Sequence, residues 1–263
     1  MIDLHVHSIY SDGSCTIDEI ISQAQNLKLS QIAITDHNNL DGSIIAHNSG
    51  KIDSITGTEL TTEYENAEIH LLAYFLKESD YKNVKYLLKE AEVKKKIGTV
   101  ETLENLNAAG IDISLSELSE FTSGIINRVH ICKALIKHGY IKTVNEGFEK
   151  YVGDHCPAYV RSERIQLMEA VEAIHKDGGI AVIAHPMEYV NDLDVYAFLN
   201  AVIDSVEGIE CFHPSATPEE SAKLVEFTER HKKRITGGSD FHGENKPDIP
   251  LGMMKVDDKY RLE

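Results

Sequence analysis

The sequence Ile2-Asp3-Leu4-His5-Val6-His7-Ser8 opens the chain with a short apolar run that ends in two histidines. Residues i and i+2 of an extended chain point to the same side, so this pattern predicts a β-strand that directs both imidazoles toward one site. Two imidazoles placed in this way can bind one metal ion. If later strands end in similar residues, a fold that brings the strand ends together would form one site.

Later apolar runs do end in this way. Strands are predicted at residues 31–35, 54–58, 180–184, 208–212 and 234–236, and His, Asp or Glu residues close or follow each of them. Amphipathic helices lie between the strands, the first opened by a capping box at Thr16 and Glu19 and others near 163–176 and 218–232. This alternation predicts an α/β fold with a largely parallel sheet, and about seven strands indicate a distorted barrel of the TIM type.

A further strand, predicted at residues 68–75, carries His70 near its start rather than its end. The segment between Glu59 and His70 is too short for the crossover that joins parallel strands. We therefore predict that strands three and four form an antiparallel hairpin. This arrangement places His70 beside Glu59, at the barrel rim where the other strand ends meet.

The strand ends supply a set of oxygen and nitrogen ligands that contains no cysteine, which favours Mn, Zn or Fe at a hydrolytic centre. The set exceeds what one ion can bind and suits two to three divalent metal ions with a bridging carboxylate. The predicted metal ligands are His5, His7, Asp12, His37, Glu59, His70, His185, Asp240 and His242.

The overall charge restricts the possible partners. The chain has 26 Lys and Arg against 43 Asp and Glu, a net charge of −17, which argues against an extended nucleic-acid surface and against binding to anionic membranes. Bound divalent ions would still leave a locally positive pocket for a small anionic substrate. No apolar run approaches the roughly 18 residues of a membrane span. Four scattered cysteines, with no signal peptide before the first motif, lead us to expect a cytoplasmic protein.

Residues 77–160 break the alternation of strands and helices. Their pattern is helical, with one helix predicted from Asn127 to His138 and ended by Gly139. A connection of this length is too long for a barrel loop. The expected organisation is a barrel formed by residues 1–76 and 161–263, with a helical subdomain inserted at 77–160. The oligomeric state is left open.

The motifs together resemble those of the PHP (polymerase and histidinol phosphatase) family. They are Asp-Leu-His-Val-His-Ser, Ile-Thr-Asp-His-Asn, Gly-Thr-Glu-Leu, Glu-Ile-His-Leu-Leu-Ala-Tyr, Ala-His-Pro and Gly-Ser-Asp-Phe-His-Gly, spread from His5 to Gly243. The resemblance implies a distorted seven-stranded (β/α)7 TIM-like barrel, the PHP fold, with two or three metals. The fourth motif and Asn-Arg-Val-His at 127–130 are most similar to the nucleoside 3′,5′-bisphosphate phosphatases and 5′-3′ exoribonucleases of the family.

Carried over by position, the resemblance implies three metal sites. The first would be held by His5, His7, Glu59 and Asp240, and Glu59 would bridge to a second site with His70 and His185. The third would be held by Asp12, His37 and His242, with Asp36 orienting a ligand or a water. The implied reaction is hydrolysis of a phosphate monoester of a small nucleotide, a nucleoside monophosphate or 3′,5′-bisphosphate, by metal-activated hydroxide.

The resemblance also implies that the insertion is a substrate-recognition lid over the rim. Arg128, with Arg161 as a second candidate, would bind the substrate phosphate, although an arginine serves equally well in an ordinary ion pair. His130 is a further substrate-binding candidate. His213 or His130 would protonate the leaving oxygen, a role that a metal-bound water fills equally well.

Several alternatives stay open at this stage. A 5′-3′ exoribonuclease acting on short RNA needs only the terminal nucleotide in the pocket, and a histidinol phosphate phosphatase would have a nearly identical metal site. An amidohydrolase usually bridges its metals with a carboxylated lysine, whereas Glu59 occupies that strand end here. A non-catalytic, metal-bound regulatory domain is disfavoured because the ligand set is complete.

Overall fold

The computed structural model describes residues 1–121, 126–153 and 155–263. The β-strands of these residues are Ile2–Val6 (β1), Gln31–Ile34 (β2), Ser54–Tyr64 (β3), Ala67–Phe75 (β4), Ile165–Gln166 (β5), Ile180–Ile183 (β6), Gly208–Phe212 (β7) and Arg234–Gly237 (β8). The α-helices are Ile17–Asn26 (α1), Asp41–Asn48 (α2), Lys82–Ala108 (α3), Leu115–Leu118 (α4), Arg128–Lys137 (α5), Val144–Gly147 (α6), Leu167–Lys176 (α7), Val195–Val202 (α8) and Pro218–Arg230 (α9).

Seven of these strands form a nearly closed barrel in the order β1-β2-β3-β4-β6-β7-β8, and the short β5 pairs with β3. Neighbouring strands are parallel from β1 to β3 and from β6 to β8, whereas β4 is antiparallel to both of its neighbours. The prediction of a distorted seven-stranded α/β barrel is confirmed. The parallel strands consequently deliver their carboxyl ends to one rim.

Backbone hydrogen bonds join β1 to the segment after β8. The His7 N–H donates to Phe241 O at 2.9 Å, and the Asp240 N–H donates to His5 O at 2.9 Å. Gly238 permits this close approach, because a Cβ at this position would overlap the backbone nitrogen and Cβ of His5. These contacts bring together the predicted ligands of the first and last strands.

The β3–β4 hairpin confirms the predicted position of His70. Thr61 pairs with His70 and Glu59 pairs with Leu72 in an antiparallel ladder. The hairpin is longer than predicted, because β3 continues to Tyr64 instead of ending at residue 58. In the outer half of the hairpin, beyond the ends of β2 and β6, β3 and β4 pair mainly with each other.

Local sequence signals set the helix boundaries. The capping box predicted at Thr16 and Glu19 is formed at the start of α1. Asn127 caps α5, and Gly139, with φ +78°, follows the end of that helix. Helix α7 begins at Leu167, later than the predicted residue 163, because Ile165–Gln166 instead pairs with β3.

The chain forms two compact units, Met1–Leu87 with Ile165–Glu263 and Leu88–Arg164. The sequence pattern places the corresponding boundaries at 77 and 161. The first unit is the barrel, and one of its apolar clusters includes Leu4, Ala33, Leu72, Tyr74 and Val182. The second unit has its own core, which includes Leu106, Leu118, Ile131 and Leu135. Among the described residues, no helix is both long and apolar enough to cross a membrane.

Candidate metal centre

A cluster of imidazole rings occupies the rim of the barrel. The ring centroids of His7 and His242 are 4.2 Å apart, and those of His7 and His37 are 4.5 Å apart. On the other side, His185 lies 5.1 Å from His70 and 5.0 Å from His213. The structure brings all nine predicted metal ligands together here, and His213 joins them.

Glu59 lies at the middle of this cluster, and its two carboxylate oxygens face different rings. Oε2 lies 3.1–3.2 Å from one ring nitrogen each of His5, His7 and His37. Oε1 lies 2.8 Å from His70 Nδ1 and 3.0 Å from His185 Nε2. One buried carboxylate thus faces two separate groups of imidazoles, which is the arrangement that a bridging ligand requires.

Two aspartates complete the cluster. Asp240 Oδ1 lies 3.2 Å from His7 Nε2 and 3.5 Å from His5 Nε2. Asp12 Oδ1 lies 3.2 Å from His242 Nε2, and its Oδ2 lies 3.7 Å from His37 Nε2. Each aspartate therefore adds an anionic oxygen to a different pair of rings.

Four sets of potential ligand atoms, each with all its atoms within 4.8 Å of one another, lie in the described part of the chain. One set contains the three residues of the implied third site, together with His7. Another resembles the implied second site, but His37 takes the place of His185 beside Glu59 and His70. The sets are His7, Asp12, His37 and His242; His5, His213 and Asp240; His5, His7 and Glu59; and His37, Glu59 and His70. His185 approaches the cluster through Glu59 Oε1.

Hydrogen bonds to the far nitrogen of two rings fix their orientation. His5 Nδ1 lies 3.0 Å from the Glu210 carboxylate, and His242 Nδ1 lies 2.8 Å from the carbonyl oxygen of Asp240. These partners accept hydrogen bonds, so Nδ1 of each ring carries the proton and Nε2 directs a lone pair into the cluster. This is the orientation in which a histidine binds a metal ion.

Glu210 is a functional residue that the sequence analysis missed. It is fully buried in β7, and besides contacting His5 it accepts a hydrogen bond from the His185 N–H at 2.9 Å. The signal was a glutamate in the middle of the apolar run Gly208-Ile-Glu-Cys-Phe212. A buried charge of this kind needs a partner, and here the partner is a predicted metal ligand.

The donor atoms of the cluster fit divalent cations. Several buried atoms have no hydrogen-bond partner, among them the Nε2 atoms of His5 and His7, Nδ1 of His37, Oε2 of Glu59 and Nδ1 of His70. A lone pair that faces a carboxylate oxygen at about 3 Å is repelled unless a proton or a metal cation lies between them. Imidazole nitrogens and carboxylate oxygens are ligands that Zn, Mn and Fe accept.

The pKa shifts agree with a centre that attracts positive charge. Burial raises the pKa of Glu59, but the surrounding imidazoles outweigh burial and hold this pKa well below its usual range. Burial lowers the pKa of His7, but the carboxylates of Asp240 and Glu59, each 3.2 Å from Nε2, outweigh burial and raise the pKa to about 9. Burial lowers the pKa of His37 to about 4, so its ring is neutral near pH 7.

His213 differs from the other rings in its tautomer. Its Nδ1 accepts a hydrogen bond from the Ser215 N–H at 3.1 Å and lies 2.7 Å from Ser215 Oγ, which can donate to the same nitrogen, so this arrangement places the proton of the neutral ring on Nε2. Nε2 lies 3.6 Å from Asp240 Oδ2, and the ring is buried. His213 therefore directs an N–H donor into the cluster, where His5 and His242 direct lone pairs.

Asp36 fixes the loop that carries Asp12. It accepts hydrogen bonds from the Ser8 N–H at 2.8 Å, from Ser8 Oγ at 2.6 Å and from Ser11 Oγ at 2.6 Å. Strained backbone also occurs at the rim, because His185 and Asp240 have φ values of +24° and +55°. Such conformations persist where surrounding contacts impose them, and they concentrate at functional sites.

The remaining candidates, Arg128, His130 and Arg161, belong to the second unit. The Arg128 guanidinium lies over the rings of Phe148 at 5.1 Å and Tyr159 at 4.9 Å. His130 Nδ1 accepts a hydrogen bond from the Asn127 N–H at 3.0 Å, and Arg161 is exposed. Their roles toward a substrate stay predictions.

The geometry defines a metal-binding α/β barrel, and comparison with known proteins places it in a family. The PHP domain model matches residues 3–153, so the chain belongs to the PHP family. The enzyme is a metal-dependent phosphoric ester hydrolase, as the resemblance implies.

Curated relatives cover nearly the whole chain. A 5′-3′ exoribonuclease of Haemophilus influenzae is 28% identical over 91% of this chain and 89% of its own length. A phosphoribosyl 1,2-cyclic phosphate 1,2-diphosphodiesterase of Eggerthella lenta is 28% identical, covering 92% and 94%. A 3′,5′-nucleoside bisphosphate phosphatase of Chromobacterium violaceum is 27% identical, covering 94% and 90%.

Solved structures show the same fold. One is a protein of Bifidobacterium adolescentis whose metal-dependent phosphoesterase activity is itself a prediction. It superposes with a TM-score of 0.79 at 27% identity, and the match covers 98% of this chain and 93% of that one. An amidohydrolase of Chromobacterium violaceum, solved with bound sulfate and no metal, gives a TM-score of 0.74 at 27% identity, covering 94% and 89%.

Proposed function

We propose that the enzyme hydrolyses a phosphate monoester of a small nucleotide, a nucleoside monophosphate or a 3′,5′-bisphosphate. The observation that carries this proposal is Glu59, which directs its two oxygens toward two groups of imidazoles at 2.8–3.2 Å. A nucleotide as substrate is supported by the relative named as a nucleoside bisphosphate phosphatase.

Two to three divalent ions, Mn, Zn or Fe, would be held by this cluster. His5, His7, Glu59 and Asp240 form the proposed first site, Glu59, His70 and His185 the second, and Asp12, His37 and His242 the third. Ions held there supply Lewis acidity toward the phosphoryl oxygens and acidify a bound water.

His213 is the proposed proton donor to the leaving oxygen. The hydrogen bond from Ser215 leaves its proton on Nε2, on the side of Asp240, and the ring is buried beside the ligands rather than at the surface. General acid catalysis contributes about 10²- to 10⁴-fold to a rate. We therefore expect His213→Asn to lower kcat by about that factor at unchanged metal content. His175→Asn, on the exposed outside of the barrel, is the matched control.

Arg128 is the proposed phosphate ligand of the insertion. Its planar guanidinium, placed over two aromatic rings, is restricted in orientation, and such a group can bind two phosphate oxygens at once. His130 and Arg161 are proposed as neighbouring substrate contacts. In this proposal the insertion, residues 77–160, is the substrate-recognition lid of a barrel made of 1–76 and 161–263.

A substrate panel tests the function. Phosphate release is measured with Mn²⁺, before and after chelation, on nucleoside monophosphates, 3′,5′-bisphosphates, short RNA and histidinol phosphate. We expect chelator-sensitive release from the nucleotides. Release from histidinol phosphate alone, or no metal-dependent release from any member, would refute the proposal.

An exoribonuclease is the second candidate, because the Haemophilus relative carries that name. A 5′-phosphorylated RNA of a few nucleotides separates the two activities. An exoribonuclease releases mononucleotides from it in sequence, whereas a phosphatase releases inorganic phosphate and leaves the RNA at full length.

A further inference from the structure

Lys246 connects the cluster with solvent. Its ammonium lies 2.6 Å from Asp240 Oδ2, and 42% of its side chain is exposed, whereas the aspartate side chain is 8% exposed. Lys246 was absent from the candidates that the sequence identified. It provides a cation at a ligand carboxylate, on a side chain that an incoming substrate can reach.

The backbone beneath Lys246 is held in place. The residue follows the short 3₁₀ helix Gly243–Asn245. The Glu244 N–H donates to Ser14 Oγ at 2.7 Å, and Asn245 Nδ2 donates to the carbonyl oxygen of Asp12 at 2.7 Å. The base of the lysine side chain is therefore fixed to the loop that presents a predicted metal ligand, and its position at the rim is preorganised.

The two oxygens of Asp240 divide the cluster into an acceptor side and a donor side. Oδ1 faces ring nitrogens of His5 and His7. Oδ2 faces Lys246 and, at 3.6 Å, Nε2 of His213. A protonated amine donates hydrogen bonds and has no lone pair for a metal, and His213 Nε2 does the same when it carries the ring proton. This side of Asp240 therefore suits an anionic oxygen.

We propose that Lys246 binds a non-bridging oxygen of the substrate phosphate, an inference that rests on the proposed phosphoesterase function. The ammonium is the exposed member of this pair, and Asp240 Oδ2 keeps His213 Nε2 as a second neighbour at 3.6 Å, so Lys246 can turn from the carboxylate toward a phosphate oxygen. A phosphate presents three such oxygens and up to two negative charges, and charge-assisted hydrogen bonds to it are short and strong. The flexible lysine stem allows this small movement.

The opposing interpretation is that Lys246 only holds Asp240 in place for the metal. The two interpretations predict different effects when Lys246 is replaced by a neutral side chain. If Lys246 binds phosphate, Lys246→Met weakens phosphate binding and leaves metal content unchanged. If it only positions Asp240, the same variant loses metal, and excess metal restores phosphate binding.

The test uses metal-loaded full-length protein with Lys246→Met, Lys246→Gln and Lys246→Arg. The control is Lys51→Met, because Lys51 forms a surface ion pair with Asp18 at 2.7 Å. Binding of inorganic phosphate is measured by calorimetry, metal content by elemental analysis, and folding by circular dichroism. We expect phosphate to bind about tenfold more weakly to the two neutral variants, the loss of one charged hydrogen bond. Metal content should stay unchanged, and the arginine variant should recover most of the binding.

In kinetics on an active substrate, KM should rise by a similar factor in the two neutral variants. Wild-type-like phosphate binding by both of them would overturn the proposal. So would a loss that tracks metal content, or a wild-type protein that does not bind phosphate. Phosphate binding that depends on Lys246, in an enzyme that turns over no member of the substrate panel, would instead refute only the proposed function.

Discussion

Replacing Glu59 by glutamine keeps the size of the side chain but removes its charge and converts one oxygen to an N–H₂ donor. The carboxylate now has five ring nitrogens within 3.2 Å, three at Oε2 and two at Oε1. An amide cannot replace the carboxylate toward both groups of imidazoles, because its nitrogen can neither bind a metal ion nor accept a hydrogen bond. Whichever way the amide turns, one group of imidazoles loses its anionic partner.

The contacts set the size of the effect. A hydrogen bond or ligand contact to a charged group contributes about 1.5–3 kcal/mol. The loss of one such contact on each side of the carboxylate gives about 3–6 kcal/mol, which corresponds to about 10²- to 10⁴-fold in metal affinity. We expect Glu59→Gln to abolish measurable turnover at micromolar free metal.

The assay has three readouts on the same preparation. Metal per chain is measured by elemental analysis after dialysis at fixed free Mn²⁺, phosphate release is measured on the best substrate of the panel, and circular dichroism reports folding. Glu65→Gln is the matched control, because Glu65 is exposed in the turn of the same hairpin. Glu59→Asp keeps the charge and should retain part of the metal, which guards against a glutamine variant that fails to fold.

Full metal content and normal turnover in a folded Glu59→Gln protein would show that the carboxylate is not a bridging ligand. The proposed sets of ligands would then be wrong at their shared member. Loss of turnover with full metal content would also contradict the reasoning, because the expected loss of activity follows from lost metal.

Three further predictions concern the surroundings of the cluster. Glu210→Gln should lower metal affinity about 10- to 100-fold, because it weakens the orientation of His5, and metal titration checks this. Gly238→Ala should cost about 1–3 kcal/mol in denaturant unfolding, since a Cβ there overlaps His5. Burial raises the pKa of the Cys211 thiol to about 12 from 9.0, so native Cys211 should resist alkylation at pH 8 while the more accessible Cys15 reacts, as mass spectrometry would show. The Cys211 thiol ionises at a lower pH in the unfolded chain than in the folded protein. The contribution of the buried neutral thiol to folding stability is therefore present below pH 9 and is lost as pH rises toward 12.

That the predicted ligands lie together could be predicted because their positions depend on local rules. A strand end is visible in sequence, and parallel strands deliver their ends to one rim. His70 required one more step, since the short link from Glu59 forces an antiparallel hairpin, which the Thr61–His70 pair confirms. These deductions need strand direction and connection length, and both can be read from the sequence.

The residues that contact the predicted ligands could not be predicted in the same way. Glu210 contacts His5, and Lys246 contacts Asp240 across a turn whose shape depends on hydrogen bonds to Ser14 and Asp12. Such contacts depend on side-chain rotamers and on loops that distant segments hold in place. Periodicity carries no information about such contacts. The length of the β3–β4 hairpin escaped prediction for a related reason, because the outer part of each strand is held mainly by its pairing with the other strand.

The far nitrogen of each ring distinguishes ligands from proton donors, and this distinction can be measured. An acceptor at Nδ1 of His5 leaves Nε2 free for a metal, whereas the Ser215 N–H at Nδ1 of His213 leaves the proton on Nε2. Long-range ¹⁵N–¹H correlation spectra of the zinc-loaded protein, which is diamagnetic, report the tautomer of each ring. We expect a proton on Nδ1 of His5 and on Nε2 of His213. An unprotonated, metal-shifted Nε2 at His213 would make this residue a ligand with His5 and Asp240, and the proton for the leaving oxygen would then have to come from another group.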